Sequence, residues 1–445
     1  MKIIFCLNYF LPDSVGGTEI YVLNLGRVLL QKKIDAVIVI PNFGIDSTEE
    51  YLYEGIRVIK YAENSHEDRR MILGKTKPEG IHEFVSILKK EKPDIVHFHE
   101  LAPGSGISIF HVEEVYKIKI PVLITFHVPF YTCLRGSLLY KGQVKCDGKI
   151  IVKRCTDCIF QQKNIAGTKA SALLNIAMAF YHLKINLTRL NNSLGTALGF
   201  PYVIDKMKKD ILRFSDFAEK IVVIADWYQQ VLKSNGVPQE KMIFIKQGLP
   251  NMKIEKPVKS SFTGTLRVVY IGRITALKGV HLLIDALLKL PAEKITLDIY
   301  GRETSDSYIL ECKQKTKGHQ NIHWKGGINS SEVIDMLSKN DLLCVPSAFE
   351  MSPLVIQEAF AAGIPVLASN VYGNAEQITE NENGWLFDYN NPNELKFKLQ
   401  NLINEPGLIE NAKRKIPSVN TFENVGSHHI ELYKSVVRNY ISKSN

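Results

Sequence analysis

Short apolar segments alternate with amphipathic helical patterns along most of the 445 residues. This alternation is typical of parallel sheets covered by helices on both faces. The helical patterns include "EIYVLNLGRVLLQKK" and "GVHLLIDALLKL". Eleven segments are predicted as strands, at residues 3–7, 36–40, 56–61, 95–98, 122–126, 221–225, 243–245, 268–271, 295–300, 342–345 and 366–368.

So many strands exceed what one doubly wound sheet usually holds, and the length favours two domains. Residues 247–265, "QGLPNMKIEKPVKSSFTGT", carry two prolines and two glycines without apolar periodicity, which predicts a linker. The predicted fold is therefore α/β, with Rossmann-like domains at 1–246 and 266–421. Ligands of such sheets bind beyond the carboxyl ends of the strands, so the loops there are the candidate sites.

The charge is concentrated in one segment of the chain. Of the net +9, residues 117–215 contribute 16 Lys and Arg against four Asp, a net +12. This favours an anionic partner, such as a membrane surface, a lipid diphosphate or an acidic polymer; a solvated basic face is the alternative. No aromatic–basic pattern of a nucleic-acid binder is present.

The sequence holds no apolar run long enough to cross a bilayer. Its first residues, "MKIIFCLNYFLPD", have no small-residue cleavage site and predict a first strand instead of a signal peptide. The expected location is the cytoplasm.

Two loops of the first half end in residues suited to ligand contact. The Gly16–Gly17 pair precedes a helix, where backbone amides can approach an anion, although a plain turn is the alternative. His127 ends an apolar strand, where it would either contact a substrate hydroxyl or be a satisfied core residue. His97 and His99 alternate along another strand end and share one face.

The second half carries the stronger signal. Arg273 and Lys278 follow a predicted strand and precede a helix, a placement that suits a diphosphate, with a surface ion pair as the alternative. In "FEMSPLVIQEAFAAGIPVLAS", Ser352 is the predicted N-cap and Pro353 the first helical residue.

Two glutamates flank the start of this helix, Glu350 before it and Glu358 within it. Buried carboxylates require a partner, so they either pair within the protein or bind ligand hydroxyls. The free amides near Leu354 and Val355 complete a predicted phosphate site.

These motifs resemble those of glycosyltransferase family 4, a family of retaining enzymes with the GT-B fold. The segments that carry the resemblance occur in the family's order: Gly16–Gly17 with Glu19, "DIVHFH", "TFHVP", "GRITALKG", "SAFEMSPLVIQEAFAAGIPVLAS" and "NENGWLF". The resemblance implies two doubly wound domains facing across a cleft. It also implies that residues 422–442 form a helix that returns to the first domain.

The resemblance further implies a role for each matched residue. Arg273 and Lys278 match the pair that holds the donor diphosphate, so no metal is needed for donor binding. Glu350 matches a glutamate at the reacting sugar and Glu358 one at the ribose.

Two residues of the first domain also match the family pattern. His127 matches a histidine near the donor sugar, and with Glu350 it is a predicted catalytic residue. Gly17 matches a glycine whose amide approaches the phosphate and the acceptor.

The sequence thus predicts a retaining transfer of a hexosyl group from a nucleotide-diphosphate sugar to a glycan or a lipid-linked acceptor, in polysaccharide or glycoconjugate biosynthesis. Peripheral contact of residues 117–215 with the inner membrane face is part of this prediction. The alternatives are another GT-B reaction, such as that of a nucleotide-sugar epimerase, and a non-catalytic membrane- or polymer-binding module. The chain departs from the family at "QGLPNMK" and "YGRETS", both near the expected nucleotide pocket.

Four of the seven cysteines cluster in the segment 131–165, at Cys133, Cys146, Cys155 and Cys158. The spacing ends in C-x2-C among glycines and polar residues, which favours a structural zinc site. Free thiols, a disulfide and an iron–sulfur cluster are the alternatives. Cys6, Cys312 and Cys344 lie in apolar patterns and are predicted to be in the core.

Overall fold

A computed structural model of the chain describes residues 1–63, 76–101, 106–190, 192–250, 264–302 and 306–444. The chain divides into two compact units, called here unit 1 (residues 1–246 with 422–445) and unit 2 (residues 247–421). Most of the predicted linker, residues 251–263, lies outside the described residues. Within the described ranges, no helix combines the length and the apolarity that a bilayer crossing requires.

Unit 1 is built on an eight-stranded sheet in the order β10-β9-β6-β5-β1-β2-β4-β3. Its strands are β1 (Lys2–Cys6), β2 (Asp35–Phe43), β3 (Glu49–Tyr53), β4 (Ile56–Glu63), β5 (Ile95–Phe98), β6 (Val122–Phe126), β9 (Lys220–Val223) and β10 (Met242–Phe244). All pairs are parallel except β3 with β4. The parallel strands β1, β5 and β6 are buried almost throughout, which explains their continuous apolar sequences.

The first helices of unit 1 fill the crossovers between these strands. They are α1 (Gly17–Gln31), α2 (Ile81–Glu91), α3 (Ile109–Lys117), α4 (Val152–Gln162), α5 (Gly167–His182), α6 (Ser193–Phe217) and α7 (Asp226–Ser234). A two-stranded antiparallel hairpin, β7 (Leu139–Tyr140) with β8 (Val144–Lys145), stands apart from the main sheet. The strand order reverses between β1 and β5, so the loops after these two strands meet at one edge.

Unit 2 is a six-stranded parallel sheet in the order β13-β12-β11-β14-β15-β16. Its strands are β11 (Leu266–Ile271), β12 (Ile295–Tyr300), β13 (Ile322–Gly326), β14 (Leu342–Val345), β15 (Val366–Ser369) and β16 (Gly384–Phe387). Its helices are α8 (Val280–Leu287), α9 (Ser307–Thr316), α10 (Val333–Ser338), α11 (Leu354–Ala361), α12 (Tyr372–Gln377), α13 (Pro392–Asn404) and α14 (Gly407–Arg414). Separate apolar cores cover the two sheet faces, and the order reverses between β11 and β14.

The last helix, α15 (Phe422–Ser444), belongs to unit 1. It packs on α1, where the rings of Tyr21 and Phe422 lie 5.0 Å apart in an edge-to-face arrangement. Tyr433 is fully buried and bonds His97 Nδ1 at 2.8 Å. These contacts complete the core of unit 1 with residues from the far end of the sequence.

All eleven predicted strands are present, with bounds shifted by up to three residues. The apolar stretch at residues 172–190 does not form one helix, because α5 ends at His182 and a 3₁₀ turn, Leu187–Arg189, follows. Cys6, Cys312 and Cys344 are buried, as predicted.

Candidate active site

The loops after β11 and β14 meet at the edge of the unit 2 sheet where the strand order reverses. The amide of Ala348 donates to the carbonyl of Leu277 at 2.8 Å, which joins the two loops. Gly279 adopts φ +71°, and a Cβ there would overlap the carbonyl oxygen of Pro346. A residue without a side chain is therefore required where the first loop rests on the second.

Lys278 and Glu350 form an ion pair across this junction. Lys278 Nζ lies 2.6 Å from Glu350 Oε1, and the hydroxyl of Ser347 donates to the same oxygen at 2.8 Å. The two side chains are 23% and 12% exposed, so the pair lies at the surface of the sheet edge. An ammonium has three donors, which leaves Lys278 able to bind a further anion.

Arg273 stands on the same loop five residues before Lys278, and its side chain is exposed. Its backbone carbonyl accepts a 2.8 Å hydrogen bond from the buried Tyr270 hydroxyl, which fixes the turn. Its guanidinium has no hydrogen bond or ion pair to any residue that the structure describes. A fixed turn with a free guanidinium suits a ligand-binding role.

Helix α11 begins at Leu354, one residue later than predicted, with Pro353 as the N-cap. The prediction of Ser352 as N-cap is wrong, because the extended Pro353 (ψ 121°) already lies outside the helix. No side chain caps the first turn, so the amides of Leu354 and Val355 have no intrahelical partner.

Glu358 lies one turn into α11, on the face of Leu354. Helical side chains lean toward the N-terminus, so its carboxylate approaches the uncapped turn. Burial raises the pKa of Glu358 from 4.5 to about 7. No described residue donates a hydrogen bond to it. The carboxylate is held away from water without the compensation that a buried charge needs.

Three polar residues beside these groups were not found from the sequence. Gln357 is buried with both side-chain amide atoms unpaired among the described residues. Asn374 holds the loops together through Ser369 Oγ at 3.0 Å, and the Gly373 amide donates to the Glu350 carbonyl at 3.1 Å. Nothing in the periodicity of the sequence distinguishes them from ordinary core or turn residues.

In unit 1, the loop after β1 leads into α1 with Gly16 as an extended N-cap. A Cβ on Gly17 would meet nothing within 4 Å, so the space on that side of the backbone is open. Glu19 folds back against Gly16 and accepts a 2.5 Å hydrogen bond from Ser14 Oγ. The prediction that the Gly17 amide approaches an anion is not tested by this geometry and stays a prediction.

Glu100 is a second carboxylate at this edge, and it was missed from the sequence. It follows β5, and its Oε2 accepts the amide of Asn8 at 3.1 Å. Burial raises the pKa of Glu100; the Asn8 amide opposes the rise, and the charge of Glu19 adds to it. The available signal was its position after the carboxyl end of a buried strand.

His127 is buried, in a cluster of aromatic and histidine rings. His99 Nδ1 and His127 Nε2 lie 3.1 Å apart and share one proton, and the ring of Tyr21 stands edge-on to His127 at 4.9 Å. The rings of His97 and His99 lie 4.0 Å apart, which confirms that they share a face. Burial lowers the pKa of His127 to about 3, so this side chain is neutral at neutral pH. Its catalytic role stays a prediction.

The four clustered cysteines line one small cavity of about 30 Å³ in unit 1. None of them forms a disulfide. In the part of the chain that the structure describes, no three His, Cys, Asp or Glu side chains stand in positions that would hold a metal ion.

Comparisons with known proteins agree with this architecture. The family model described as "Glycosyl transferases group 1" matches residues 251–418, which is almost all of unit 2. The model described as "Glycosyltransferase Family 4" matches residues 15–157 in unit 1.

Curated relatives are distant. An uncharacterized glycosyltransferase of Methanocaldococcus jannaschii is 28% identical over 38% of this chain and 44% of its own length. The amylovoran biosynthesis glycosyltransferase AmsK of Erwinia amylovora is 24% identical over 60% of this chain and 66% of its own length. The chain therefore spans about half to two thirds of these relatives.

Solved structures align over nearly the whole chain. Sucrose-phosphate synthase of Thermosynechococcus elongatus gives a TM-score of 0.65 at 16% identity, covering 98% of this chain and 99% of that one. HepE of Anabaena, solved with UDP and glucose, gives 0.61 at 15% identity, covering 98% and 100%. At these identities the likeness shows the fold alone, and it confirms the predicted GT-B fold class.

Proposed function

Because the chain belongs to glycosyltransferase family 4, we propose that it transfers a sugar from a nucleoside diphosphate sugar to a hydroxyl group of a glycan or a lipid-linked acceptor. The proposed transfer retains the configuration of the anomeric carbon. The observation that carries the proposal is the set of groups at the edge of unit 2. Two cations stand on the loop after β11, an uncapped helix start and an unpaired carboxylate follow β14, and the loops after these two strands are joined.

The diphosphate is the group that this edge would bind. Arg273 offers a free guanidinium, Lys278 offers two remaining ammonium donors, and the amides of Leu354 and Val355 add the positive end of the helix dipole. A nucleotide bound in this way places the ribose near Glu358. The two ribose hydroxyls would then give the carboxylate the hydrogen bonds that the protein does not supply.

The proposed chemistry breaks the bond between the anomeric carbon and the β-phosphate oxygen. The electron pair leaves with the diphosphate, whose charge Arg273 and Lys278 stabilise. The acceptor hydroxyl attacks the oxocarbenium-like sugar from the side that the diphosphate leaves, and its proton passes to the departing phosphate oxygen. Glu350, held by Lys278 and Ser347, would bind a hydroxyl of the moving sugar.

The acceptor side is assigned to unit 1. Glu19 and Glu100 offer hydrogen-bond acceptors for hydroxyl groups at the edge where the strand order reverses. The Gly17 amide is the proposed anion contact there, and His127 the proposed contact to the donor sugar. Two relatives are named for amylovoran and colanic acid biosynthesis, and this likeness supports a role in the synthesis of a surface polysaccharide.

A membrane surface is the proposed location of the acceptor. Residues 158–204 contain no Asp or Glu. The structure shows an exposed apolar stripe on α5 and its C-cap residue, in which Ile176 is 48% and Leu183 is 68% exposed. Exposed basic residues flank this stripe without an ion pair among the described residues: Lys163, Lys169, Lys184 and Arg189. Each basic residue near an anionic bilayer contributes about 1 kcal/mol to the free energy of membrane binding, and burial of the apolar side chains in the bilayer adds to it.

The donor class is tested by thermal shift with UDP, GDP and ADP and with their sugar derivatives. Ligand binding to the folded state adds to stability, so one nucleoside diphosphate should raise the melting temperature at millimolar concentration. Nuclear magnetic resonance of the product then reports the anomeric configuration. An inverted product contradicts retention. Binding followed by release of an epimerised nucleotide sugar identifies an epimerase instead.

The membrane contact is tested by flotation with vesicles of neutral lipid and of neutral plus anionic lipid. The protein should float with anionic vesicles, and Leu183→Asn should weaken this binding. Leu310→Asn is the matched control, because Leu310 is 59% exposed on α9 of unit 2. Equal flotation of both variants, or none of the wild type, contradicts the proposed contact.

A further inference from the structure

The segment between β6 and α5 holds four thiols that the proposed transfer does not use. Cys133 lies in the turns after β6, Cys146 follows β8, and Cys155 and Cys158 lie three residues apart on α4, hence on one face of that helix. Three different elements therefore bring their sulfurs to the same cavity of about 30 Å³. That space fits one water molecule or one metal ion.

One backbone amide is aimed at a sulfur of this cluster. The amide of Lys141 donates to Cys158 Sγ at 3.1 Å. Such a donor stabilises a sulfur that carries negative charge.

Gly148 lines the same cavity. Its φ is +73°, and a Cβ there would lie 2.6 Å from the Val231 side chain. Both the conformation and the space therefore demand a glycine.

Two arginines supply positive charge to the same cavity. Arg135 and Arg154 both line it, and the Nε atom of each is buried without a hydrogen-bond acceptor in the part of the chain that the structure describes. The other nitrogens are engaged, with Arg135 donating to the Cys158 carbonyl at 3.2 Å and Arg154 to Asp147 at 3.0 Å. Unpaired buried donors of this kind indicate that an anionic acceptor belongs in the cavity.

We propose that Cys133, Cys146, Cys155 and Cys158 bind one Zn²⁺ ion as a tetrahedral tetrathiolate. Each thiol gives its proton to water as its sulfur bonds the metal, so four protons are released for each ion bound. The resulting site carries a net charge of −2. The Arg135 guanidinium offsets part of this charge, and Arg154 contributes while it also pairs with Asp147. Four thiolates without a water ligand are typical of a structural zinc site.

Two of the thiols donate hydrogen bonds to other groups while they are protonated. The Cys158 thiol donates to the Leu139 carbonyl at 3.7 Å, and the Cys146 thiol donates to Asp147 Oδ1 at 3.8 Å. Both bonds need the thiol proton, and both are lost when metal binding removes it, whereas the amide bond from Lys141 to Cys158 persists. Rotation of the side chains then turns the sulfurs into the cavity, which explains why no metal geometry is present among the protonated thiols of the described residues.

A disulfide accounts for fewer of these features. It would be uncharged, so it would leave the arginine Nε donors without an anionic acceptor. A tetrathiolate uses all four cysteines and satisfies both arginines.

The proposed role of this site is to fix the short hairpin to the neighbouring helix. The hairpin β7–β8 has only two residues in each strand, and β8 is exposed. One ion bound to Cys146, Cys133 and the two cysteines of α4 would tie the hairpin, the turn after β6 and the helix into one body. The metal is thus expected to order residues 133–158 and to take no part in sugar transfer.

The test begins with the metal content of the full chain, purified without a chelating resin or chelator. Mass spectrometric metal analysis should find about one zinc per chain. Titration with a mercurial reagent should release that zinc as four thiols react, with a chromogenic indicator following the release. Replacement by Co²⁺ should give the intense sulfur-to-cobalt charge-transfer absorption of thiolate ligation.

Variants then locate the ion. Cys155→Ser should lower the bound zinc at least tenfold, whereas Cys312→Ser, a change at a buried cysteine in unit 2, should leave the stoichiometry unchanged. Limited proteolysis of the wild type with a strong chelator should produce new cuts within 133–158. This last measurement and the wild-type metal content do not depend on whether a variant folds.

Three results overturn the proposal. The first is less than a tenth of an equivalent of zinc after purification in zinc-supplemented medium, with all four thiols reacting freely. The second is a disulfide between any two of the four cysteines in freshly purified protein, found by peptide mapping. The third is full zinc content in Cys155→Ser and Cys133→Ser alike.

Discussion

The two sheet edges at which the strand order reverses differ in whether their polar side chains have partners within the protein. In unit 1 the histidines are buried and bonded to one another, to Thr125 and to tyrosines of α1 and α15. In unit 2 the cation Arg273 and the carboxylate Glu358 have no partner among the described residues. The first arrangement stabilises the fold, and the second leaves binding capacity for a ligand.

The largest expected effect of this difference is on stability in acid. Burial lowers the pKa of His111 and His127 to about 3 and that of His429 to about 4, all below the unfolded value of 6.5. The unfolded chain therefore binds protons that the folded unit 1 does not. The stability that these neutral histidines contribute is fully present above pH 6.5, and it is lost as the pH drops below this value. At pH 5, each histidine with a folded pKa near 3 lowers the free energy of unfolding by about 2 kcal/mol.

Unit 2 should respond differently over the same range. The folded pKa of Glu358, raised to about 7, makes the folded state the better proton binder between pH 4.5 and 7, so this group adds stability as the pH falls. The lowered pKa of the half-buried His281 acts in the opposite direction. Hydrogen exchange measured at pH 7 and pH 5 should show protection lost in unit 1 first. Equal loss in both units contradicts the comparison.

Removing one cation from unit 2 should affect turnover and not the fold. Lys278→Ala is expected to lower kcat at least a hundredfold, or about 3 kcal/mol, because it removes a donor that stabilises the leaving diphosphate. Lys289→Ala, at an exposed lysine of the same unit, is the control and should keep its activity. Normal turnover of Lys278→Ala would remove this residue from the mechanism.

The unpaired carboxylate offers a test in which stability and binding move in opposite directions. At pH 8, Glu358→Gln should raise the free energy of unfolding by on the order of 2 kcal/mol, because a charge that burial disfavours is gone. The same change should weaken donor binding about tenfold to a hundredfold by removing a charged acceptor of ribose hydroxyls.

Chemical denaturation and nucleotide titration measure the two effects of Glu358→Gln. Glu382→Gln, at an exposed position, should change neither quantity. If Glu358→Gln is destabilising at pH 8, the carboxylate has a partner within the protein and the contrast between the two edges is lost.

The smallest expected effect comes from one bond of the unit 1 cluster. Tyr433→Phe removes the hydroxyl that bonds His97 Nδ1 at 2.8 Å and leaves that buried nitrogen without this partner. The expected loss is about 1–3 kcal/mol of stability, with donor affinity in unit 2 unchanged. Urea denaturation measures the first quantity and isothermal titration the second. A loss of donor affinity would contradict the assignment of this cluster to the fold.

The sequence was sufficient for features that depend on local pattern. Continuous apolar segments identified eleven strands, and the elements that follow the strands of unit 2 located Arg273, Lys278, Glu350 and Glu358. Five strands were missed, namely β3, β7, β8, β13 and β16, although β16 is parallel and largely buried. The edge strands β3 and β13 were missed because few of their side chains are buried. Their sequences therefore lack a continuous apolar segment.

Contacts between distant parts of the chain could not be predicted from the sequence. His97 and Tyr433 are 336 positions apart, and no local pattern shows that α15 covers the histidines. The N-cap of α11 was misplaced by one residue, because serine and proline are both favoured at helix starts and only the backbone angles decide between them.

The return of α15 to unit 1 has a consequence for biosynthesis. Domains fold as units while the ribosome elongates the chain. Unit 2 has all its strands once residue 387 has emerged, but the core of unit 1 still lacks Phe422, His429 and Tyr433 at that moment. The half of the molecule that is translated first is thus the one that matures last, and its unfinished core is what chaperones would meet on the nascent polypeptide.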